Sequence, residues 1–241
     1  MTFSLLCPTR NRVHFVEQLF YNLEQSIAKP DNVELILMSD YDDKATYDLF
    51  QKQPTQKFQI TYIRQDRSEY LNKDYYNYAA TKAQGDYLWA IGDDVRFLTY
   101  FWDMKLTEKI EEILKPDRIG YFSVTEEGSQ AKHPCFPIIT KESFQALKIY
   151  FHPQLMSWGA DRTLYEVYSA NSIRRCFHIP DVSINHLSYH DKKAVCDDTA
   201  KSMKERFFRD PECHNKVSMY QVPQHIKILE RYINERVVEP I

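Results

Sequence analysis

A buried strand that ends in two adjacent carboxylates is the feature of this sequence that most limits its fold. Residues 85–95 read GDYLWAIGDDV, an apolar run that a glycine opens and that Asp93 and Asp94 close. An uninterrupted apolar run is typical of a strand covered on both faces, as in the parallel sheets of α/β proteins. Ligands bind at the carboxyl ends of such strands, where paired carboxylates favour a divalent cation that carries a phosphate group. The alternative is an ordinary loop whose aspartates bond their own backbone.

The first hundred residues repeat this pattern of strand and helix. Residues 3–7, 33–38 and 58–63 are strand candidates, and residues 13–27, 44–51 and 72–83 read as helices. The second strand also ends in acid, because Asp40 follows it. Two strands therefore present carboxylates in the same direction, and the alternation predicts an α/β fold with right-handed parallel crossovers.

The second half of the chain continues the alternation. An amphipathic helix over residues 101–114, a strand over 119–124, a polar loop from 125 and a last strand over 177–184 are expected. From residue 222 onward the sequence predicts an amphipathic helix that packs on the domain. Since we find no internal repeat and no linker, we expect one domain over residues 1–241.

Composition excludes several classes of function. A chain of 241 residues can bury one large core, and 34 acidic against 31 basic residues leave no basic field for nucleic acid. No stretch approaches the ~18 apolar residues of a transmembrane segment, and the amino terminus lacks the basic region of a signal peptide, so we expect a cytoplasmic protein. Five cysteines without metal or redox spacing indicate reduced thiols: Cys7, Cys135, Cys176, Cys196 and Cys213.

The order of these motifs resembles the nucleotide-sugar-dependent glycosyltransferases of the GT-A fold, especially the inverting family 2. The resemblance covers roughly residues 3–190: Pro-Thr-Arg-Asn-Arg after the first strand, an acid after the second, an Asn in the helix before a glycine, then the acidic motif. It implies a Rossmann-like GT-A domain with a mostly parallel central sheet flanked by helices. Residues 1–100 would be the nucleotide-binding half, 101–195 the acceptor-binding half and 196–241 a helical C-terminal extension.

The resemblance implies a donor site in the first half of the chain. Pro8 and Thr9 would shape the pocket of the nucleotide base, and Asp40 would meet the base or the ribose. Arg10 or Arg12 would approach the diphosphate, whose negative charge increases as it leaves the sugar.

A metal site is implied by the same resemblance. Gly92-Asp93-Asp94 stands where the family has Asp-x-Asp, so the first acid of the motif is missing. Asp94 fills the place of the acid that touches the metal. Asp93 would lie beside the nucleotide sugar. His186 stands where related enzymes complete the metal shell, and His190 is the alternative. Carboxylate, phosphate and water oxygens suit Mg²⁺ or Mn²⁺, and a histidine ligand favours Mn²⁺. Both histidines are alternatively ordinary loop residues.

An inverting transfer needs a base that takes the proton of the acceptor hydroxyl. Asp161 is the candidate, because Trp-Gly-Ala-Asp-Arg at residues 158–162 resembles the family's Gly-Glu-Asp near a helix start. The alternative is an acid that only favours the helix N-terminus electrostatically. Trp158 would stack on a sugar face or belong to the core. Asn77 would be a further sugar or ribose contact.

These inferences predict an inverting, metal-dependent glycosyltransferase that moves a sugar from a nucleotide-diphosphate sugar to a glycan, a glycoconjugate or another hydroxyl acceptor. A sugar-phosphate nucleotidyltransferase is a second reading, but it would carry a glycine-rich loop after the first strand, and this loop has no glycine. A non-catalytic sugar- or nucleotide-binding module is a third, because the first acid of the metal motif and the Glu before Asp161 are missing.

Overall fold

An eight-stranded sheet flanked by helices forms the centre of the protein. The computed structural model describes residues 1–52, 56–129, 133–187, 197–209 and 211–237. Within these residues the strands are β1 (Phe3–Pro8), β2 (Val33–Asp40), β3 (Gln59–Gln65), β4 (Tyr87–Ala90), β5 (Val95–Phe97), β6 (Tyr121–Glu126), β7 (Ile138–Thr140) and β8 (Cys176–His186). The α/β fold expected from the sequence is confirmed.

Helices connect most of these strands. In the same described ranges the α-helices are α1 (Val13–Ser26), α2 (Lys44–Lys52), α3 (Tyr78–Lys82), α4 (Trp102–Ile113), α5 (Lys141–Leu147), α6 (Ala160–Ser169), α7 (Asp198–Arg209), α8 (Pro211–Lys216) and α9 (Val222–Val237). Leu71–Asn77 and Val217–Gln221 are π-helical, and Pro30–Asn32 is a 3₁₀ turn. The helix expected over residues 72–83 is therefore divided between a π-helical segment and α3.

The strands lie in the order β3-β2-β1-β4-β7-β6-β8-β5. β3, β2, β1 and β4 are parallel to one another, β7 is antiparallel to both of its neighbours, and β6 and β8 are again parallel. Six strands consequently end at the same side of the sheet, which we call the carboxyl edge: β1, β2, β3, β4, β6 and β8.

The sheet is covered on both faces, and alternate residues of a strand enter two separate cores. Leu5 of β1 packs with α1 and α4 on one face, whereas Leu6 packs with α3, α5, α6 and α9 on the other. All residues of β2 and β4 are buried. Burial on both faces explains why these strands read as nearly continuous apolar runs rather than alternating ones.

A short strand that the sequence does not predict brings two distant parts of the chain together. β5 follows Asp94 directly and pairs antiparallel with β8, so that Val95 lies opposite His186. The N–H of Leu187 then donates to the carbonyl oxygen of Asp94 at 2.9 Å. This pairing sets the end of β8 beside the acidic turn after β4.

The C-terminal helix α9 packs on the core beside the sheet, as the amphipathic pattern predicts. Leu229 of α9 is fully buried, and Ile226 and Ile233 are partly buried against the core that contains α5 and α6. Among the described helices, none is both long enough and apolar enough to cross a membrane.

Candidate active site

The polar residues singled out by the sequence gather at the carboxyl edge. Thr9 follows β1, Asp40 ends β2, and Asp93 and Asp94 follow β4. Because parallel strands end together, residues 30 to 84 positions apart in sequence become neighbours. His186 joins them at the end of β8.

Asp93 and Asp94 form a buried acidic pair in the turn between β4 and β5. Asp93 is 3% exposed and Asp94 8%. Thr9 Oγ1 donates to Asp93 Oδ2 at 2.7 Å, and Arg12 Nη1 donates to Asp93 Oδ1 at 3.1 Å and to Asp94 Oδ2 at 3.2 Å. Asp94 Oδ1 faces His186 Nε2 at 3.5 Å. One carboxylate is thus held by Thr9 and Arg12, and the other lies between Arg12 and His186.

The two carboxylates differ in acidity although they are adjacent. Burial, followed by the charge of Asp94, raises the pKa of Asp93 to about 7. Burial also opposes ionisation of Asp94, but the hydrogen bond from His186, with the charges of His186 and Arg12, holds the pKa of Asp94 below its ordinary value. Asp94 is therefore the more acidic member of the pair.

Gly92 leaves room for the Asp94 carboxylate. A Cβ atom at residue 92 would lie 2.5 Å from Asp94 Oδ1. Any larger residue at this place, including the Asp of an Asp-x-Asp motif, would require Asp94 to shift. Glycine in place of the first Asp of the motif therefore allows the Asp94 carboxylate to lie close to the backbone of residue 92.

Arg12 joins the acidic pair to the segment before α7. Its Nε and Nη2 atoms donate to the two carboxylate oxygens of Asp197 at 2.6 and 2.9 Å. Burial opposes the charge of the guanidinium, but the hydrogen bond to Asp197 and the charges of Asp93, Asp94 and Asp197 raise the pKa of Arg12 above its ordinary value. No local sequence pattern distinguishes Asp197 from the other acids of the chain.

Asp40 lies in a second charged group, at the end of β2. It is 2% exposed and accepts hydrogen bonds from Arg10 and from the Tyr75 hydroxyl. Arg10 also donates to both oxygens of Asp42, at 2.7 and 2.9 Å. Both arginines of the loop after β1 are consequently paired with carboxylates.

Asp161, the expected base, lies in the first turn of α6. Its Oδ1 accepts from the N–H of Arg162 at 2.9 Å, and its Oδ2 lies 3.2 Å from His133 Nε2. Gly159 precedes the helix in a left-handed conformation, with φ of 85°, and Trp158 beside it is partly exposed. No pattern in the sequence singles out His133.

Glu126 is a further acid at the carboxyl edge that the sequence analysis missed. It ends β6, and its Oε1 accepts from the N–H groups of Cys135 and Phe136 at 2.7 and 3.2 Å. Burial raises the pKa of Glu126. The available signal was the same as for Asp40, an acid at the end of a strand.

The remaining expected residues lie in different surroundings. Pro8 ends β1 and is half-buried at the carboxyl edge. The side chain of Asn77 bonds to backbone, donating to the carbonyl of Phe151 at 2.8 Å and accepting from the N–H groups of Tyr150 and Phe151 at 2.8 and 2.9 Å. His190 lies outside the described residues.

The ligand atoms and charges at the carboxyl edge fit a divalent cation that is also bound by the phosphates of a nucleotide. In the described part of the chain, no group of three or more His, Cys, Asp or Glu is arranged to bind a metal by itself. Asp94 and His186 nevertheless offer one oxygen and one nitrogen only 3.5 Å apart. Carboxylate and imidazole together suit Mn²⁺, and phosphate and water oxygens would complete its shell.

A family model covers most of the chain. The sequence matches glycosyl transferase family 2 over residues 4–175. No curated protein matches it by sequence.

Solved structures with the same fold are remote in sequence. The mannosyltransferase PcManGT from Pyrobaculum calidifontis, in complex with GDP-Man and Mn²⁺, has a TM-score of 0.61 and 15% identity over 99% of this chain and 76% of that one. TarS 1–349 from S. aureus in complex with UDP has a TM-score of 0.61 and 17% identity over 97% and 80%. The same fragment with UDP-GlcNAc gives 0.60 and 15% over 97% and 72%.

The family match spans both the acidic turn after β4 and the helix that carries Asp161, and the solved structures have the same fold as this chain. The expectation drawn from the motifs is therefore confirmed at the level of fold and family. The chain belongs to glycosyl transferase family 2 and is a glycosyltransferase of the GT-A fold.

Proposed function

We propose that the protein is an inverting, metal-dependent glycosyltransferase that moves a sugar from a nucleotide-diphosphate sugar to a hydroxyl group of a glycan or glycoconjugate. The observation that carries this proposal is the meeting of Asp94, His186 and Arg12 at the carboxyl edge. An anionic leaving group is stabilised by positive charge at the place where its own charge develops. Arg12 would supply one such charge, and Asp94 with His186 would bind a cation that supplies another.

The donor side of the proposal concerns the loop after β1 and the end of β2. Pro8 and Thr9 would border the base, and Asp40 would contact the base or the ribose. Arg10 and Arg12 are both paired with carboxylates. Each guanidinium would therefore bind the diphosphate and its carboxylate partners at the same time. PcManGT was solved with GDP-Man and TarS with UDP-GlcNAc, which supports a donor of this chemical class.

Asp94 and His186 would hold the cation, preferably Mn²⁺, with Mg²⁺ as the alternative. When bound, the cation neutralises charge on the diphosphate as it departs. Asp93, hydrogen-bonded to Thr9 and Arg12, would keep Arg12 oriented toward the donor. The complex of PcManGT with Mn²⁺ supports this choice of metal.

The acceptor side concerns Asp161. In an inverting transfer the acceptor oxygen forms a bond to the anomeric carbon while the bond from that carbon to the diphosphate oxygen breaks. The electron pair of the broken bond leaves on the nucleoside diphosphate, and the proton of the hydroxyl passes to Asp161. Trp158, partly exposed beside Gly159, would stack on a sugar face.

The test is turnover of a panel of donors: UDP-Glc, UDP-Gal, UDP-GlcNAc and GDP-Man, each with MnCl₂, with MgCl₂ or with EDTA. We expect release of nucleoside diphosphate from one donor, dependent on the metal, and an inverted anomeric centre in the product by NMR. Asp94→Asn and Asp161→Asn should each lower turnover by about 10²-fold or more. Glu108→Gln, an exposed acid on α4, is the matched control.

Two results would contradict the proposal. Tight donor binding without turnover across the panel would identify a binding module instead. Full activity of Asp94→Asn in EDTA would show that the reaction does not need a metal, although the protein would still be a glycosyltransferase.

A further inference from the structure

The candidate base is held by a histidine from another part of the chain. His133 belongs to the segment between β6 and β7, and its Nε2 lies 3.2 Å from Asp161 Oδ2 on α6. Both side chains are partly exposed, 25% for His133 and 21% for Asp161. With the N–H of Arg162 on Oδ1, each oxygen of Asp161 has one hydrogen-bond partner and keeps a lone pair for a proton.

We propose that His133 is the positioning residue for this base, that its Nε2–H orients the Asp161 carboxylate, and that its protonation state decides how strongly Asp161 accepts the proton of the acceptor. This inference rests on the proposed role of Asp161. It deepens that role, because it adds a titratable imidazole to a base that is otherwise a simple carboxylate.

The segment that carries His133 also reaches the candidate metal ligand. Glu126 at the end of β6 fixes it by accepting the N–H groups of Cys135 and Phe136. The Phe136 ring packs edge-on against the His186 ring, with centroids 4.8 Å apart. Residues 133–136 thus connect the candidate base on α6 with the end of β8.

The charges around His133 determine whether turnover rises or falls with pH. The hydrogen bond to Asp161 raises the pKa of His133 above its ordinary value, while burial and Arg162 oppose this, and the charges of Asp161 and Glu126 add to it. From α8, the imidazole of His214 also interacts electrostatically with Asp161. Below the raised pKa, the imidazolium attracts the carboxylate charge and makes Asp161 a weaker proton acceptor.

Above that pKa, the neutral ring still donates its Nε2–H, and the carboxylate becomes the stronger base. Turnover should therefore rise with pH through the titration of His133. Glutamine can place an amide N–H near the position of Nε2 but does not titrate. His133→Gln separates the orienting role from the titrating one, and His133→Ala removes both.

The experiment uses the full chain with MnCl₂ and the donor of the panel that gives the highest turnover, at pH values from about 5.5 to 9. We expect His133→Ala to lower kcat by about 10- to 100-fold with little change in donor KM, because the carboxylate is no longer oriented. We expect His133→Gln to stay within a few-fold of the natural protein at the alkaline end and to lose its ascending limb. His178→Gln, an exposed histidine near the other end of β8, is the control.

A second measurement does not depend on turnover. The pKa of the His133 imidazole, followed by NMR in the metal-free protein, should lie above 6.5 and should fall in Asp161→Asn. An unchanged pKa in that variant would overturn the inference, even if His133→Ala did not fold.

The outcomes separate this inference from the proposed function. If Asp161→Asn is inactive while both His133 variants keep the kcat and the pH profile of the natural protein, the base stands and the positioning role is wrong. If Asp161→Asn stays fully active, the proposed base itself is wrong.

Discussion

Arg12 binds Asp94 with one Nη1–H at 3.2 Å, while the other oxygen of that carboxylate faces His186. The same guanidinium donates to Asp93 and, through its other two nitrogens, to Asp197. One arginine therefore balances part of the charge of three carboxylates. Its fork of five N–H donors makes this possible, and lysine has no equivalent geometry.

Arg12→Ala should lower kcat by about 10²- to 10³-fold, since it removes a cation from the place where the leaving diphosphate gains charge. Arg12→Lys should give an intermediate loss, because an ammonium keeps the charge but not the fork to Asp197. Steady-state kinetics with the best donor is the measurement. Arg231→Ala, whose side chain is 74% exposed on α9, should leave kcat unchanged. Equal effects of the Arg12 and Arg231 substitutions would contradict the prediction.

Gly159→Ala should destabilise the protein and slow turnover. The residue has φ of 85°, and an added Cβ would lie 2.5 Å from Cδ2 of His214 on α8, so both backbone strain and a clash would shift the start of α6. Left-handed strain alone costs about 1–2 kcal/mol.

Gly128→Ala measures that strain separately, because Gly128 has φ of 69° in an exposed turn. Urea denaturation should show a larger loss for Gly159→Ala than for Gly128→Ala. The double variant Gly159→Ala/His214→Ala should recover part of the difference. Equal losses at the two glycines would mean that His214 does not oppose the added methyl group.

The buried His152 should make the protein less stable in acid. Burial, followed by the charge of His225, lowers the pKa of His152 to about 4, and its Nδ1 accepts from the N–H of Gln154 at 3.3 Å. The unfolded chain therefore binds more protons than the folded one between about pH 4 and 6.5, so stability falls as the pH falls through this window.

His152→Asn keeps an acceptor near the position of Nδ1 and removes the titration. Its Tm should depend less on pH than that of the natural protein between pH 4 and 6.5, and each kcal/mol corresponds to about 2–4 °C for a chain of this size. His14→Asn, an exposed histidine on α1, should keep the natural dependence. The same pH dependence in all three proteins would exclude His152 as its source.

Asn77→Ala should act on stability. It removes an amide that bonds three backbone groups of Tyr150 and Phe151, and an unsatisfied buried group costs about 1–3 kcal/mol. Asn234→Ala, exposed on α9, should stay within about 0.5 kcal/mol in urea denaturation. A rise in donor KM at unchanged stability would instead support the sugar or ribose contact that the family resemblance implies.

The sequence predicts the parallel half of the sheet well. β1, β2 and β4 are buried on both faces, and such strands read as apolar runs that are visible without any structure. The acids at their ends follow from the same reading, since strands of one direction end together. Asp40, Asp93 and Asp94 accordingly lie at the edge where they are expected.

The sequence does not predict β5 and β7, because three residues are too few to show a period of two. Nor does it predict pairs of side chains that meet across the fold. Arg12 and Asp197 are 185 residues apart, and His133 and Asp161 are 28 apart. Such contacts depend on how loops and helices pack, and no local spacing encodes them.

The position of β8 has a consequence for synthesis on the ribosome. Among the described strands β8 comes last in sequence, yet it lies inside the sheet, between β6 and β5. Until β8 has emerged, β5 has no hydrogen-bonding neighbour among the described strands, and the nascent polypeptide carries Asp94 without its histidine partner. The pair of Asp94 and His186 therefore cannot form until translation has passed the end of β8, and a ribosome stalled earlier would present an incomplete site.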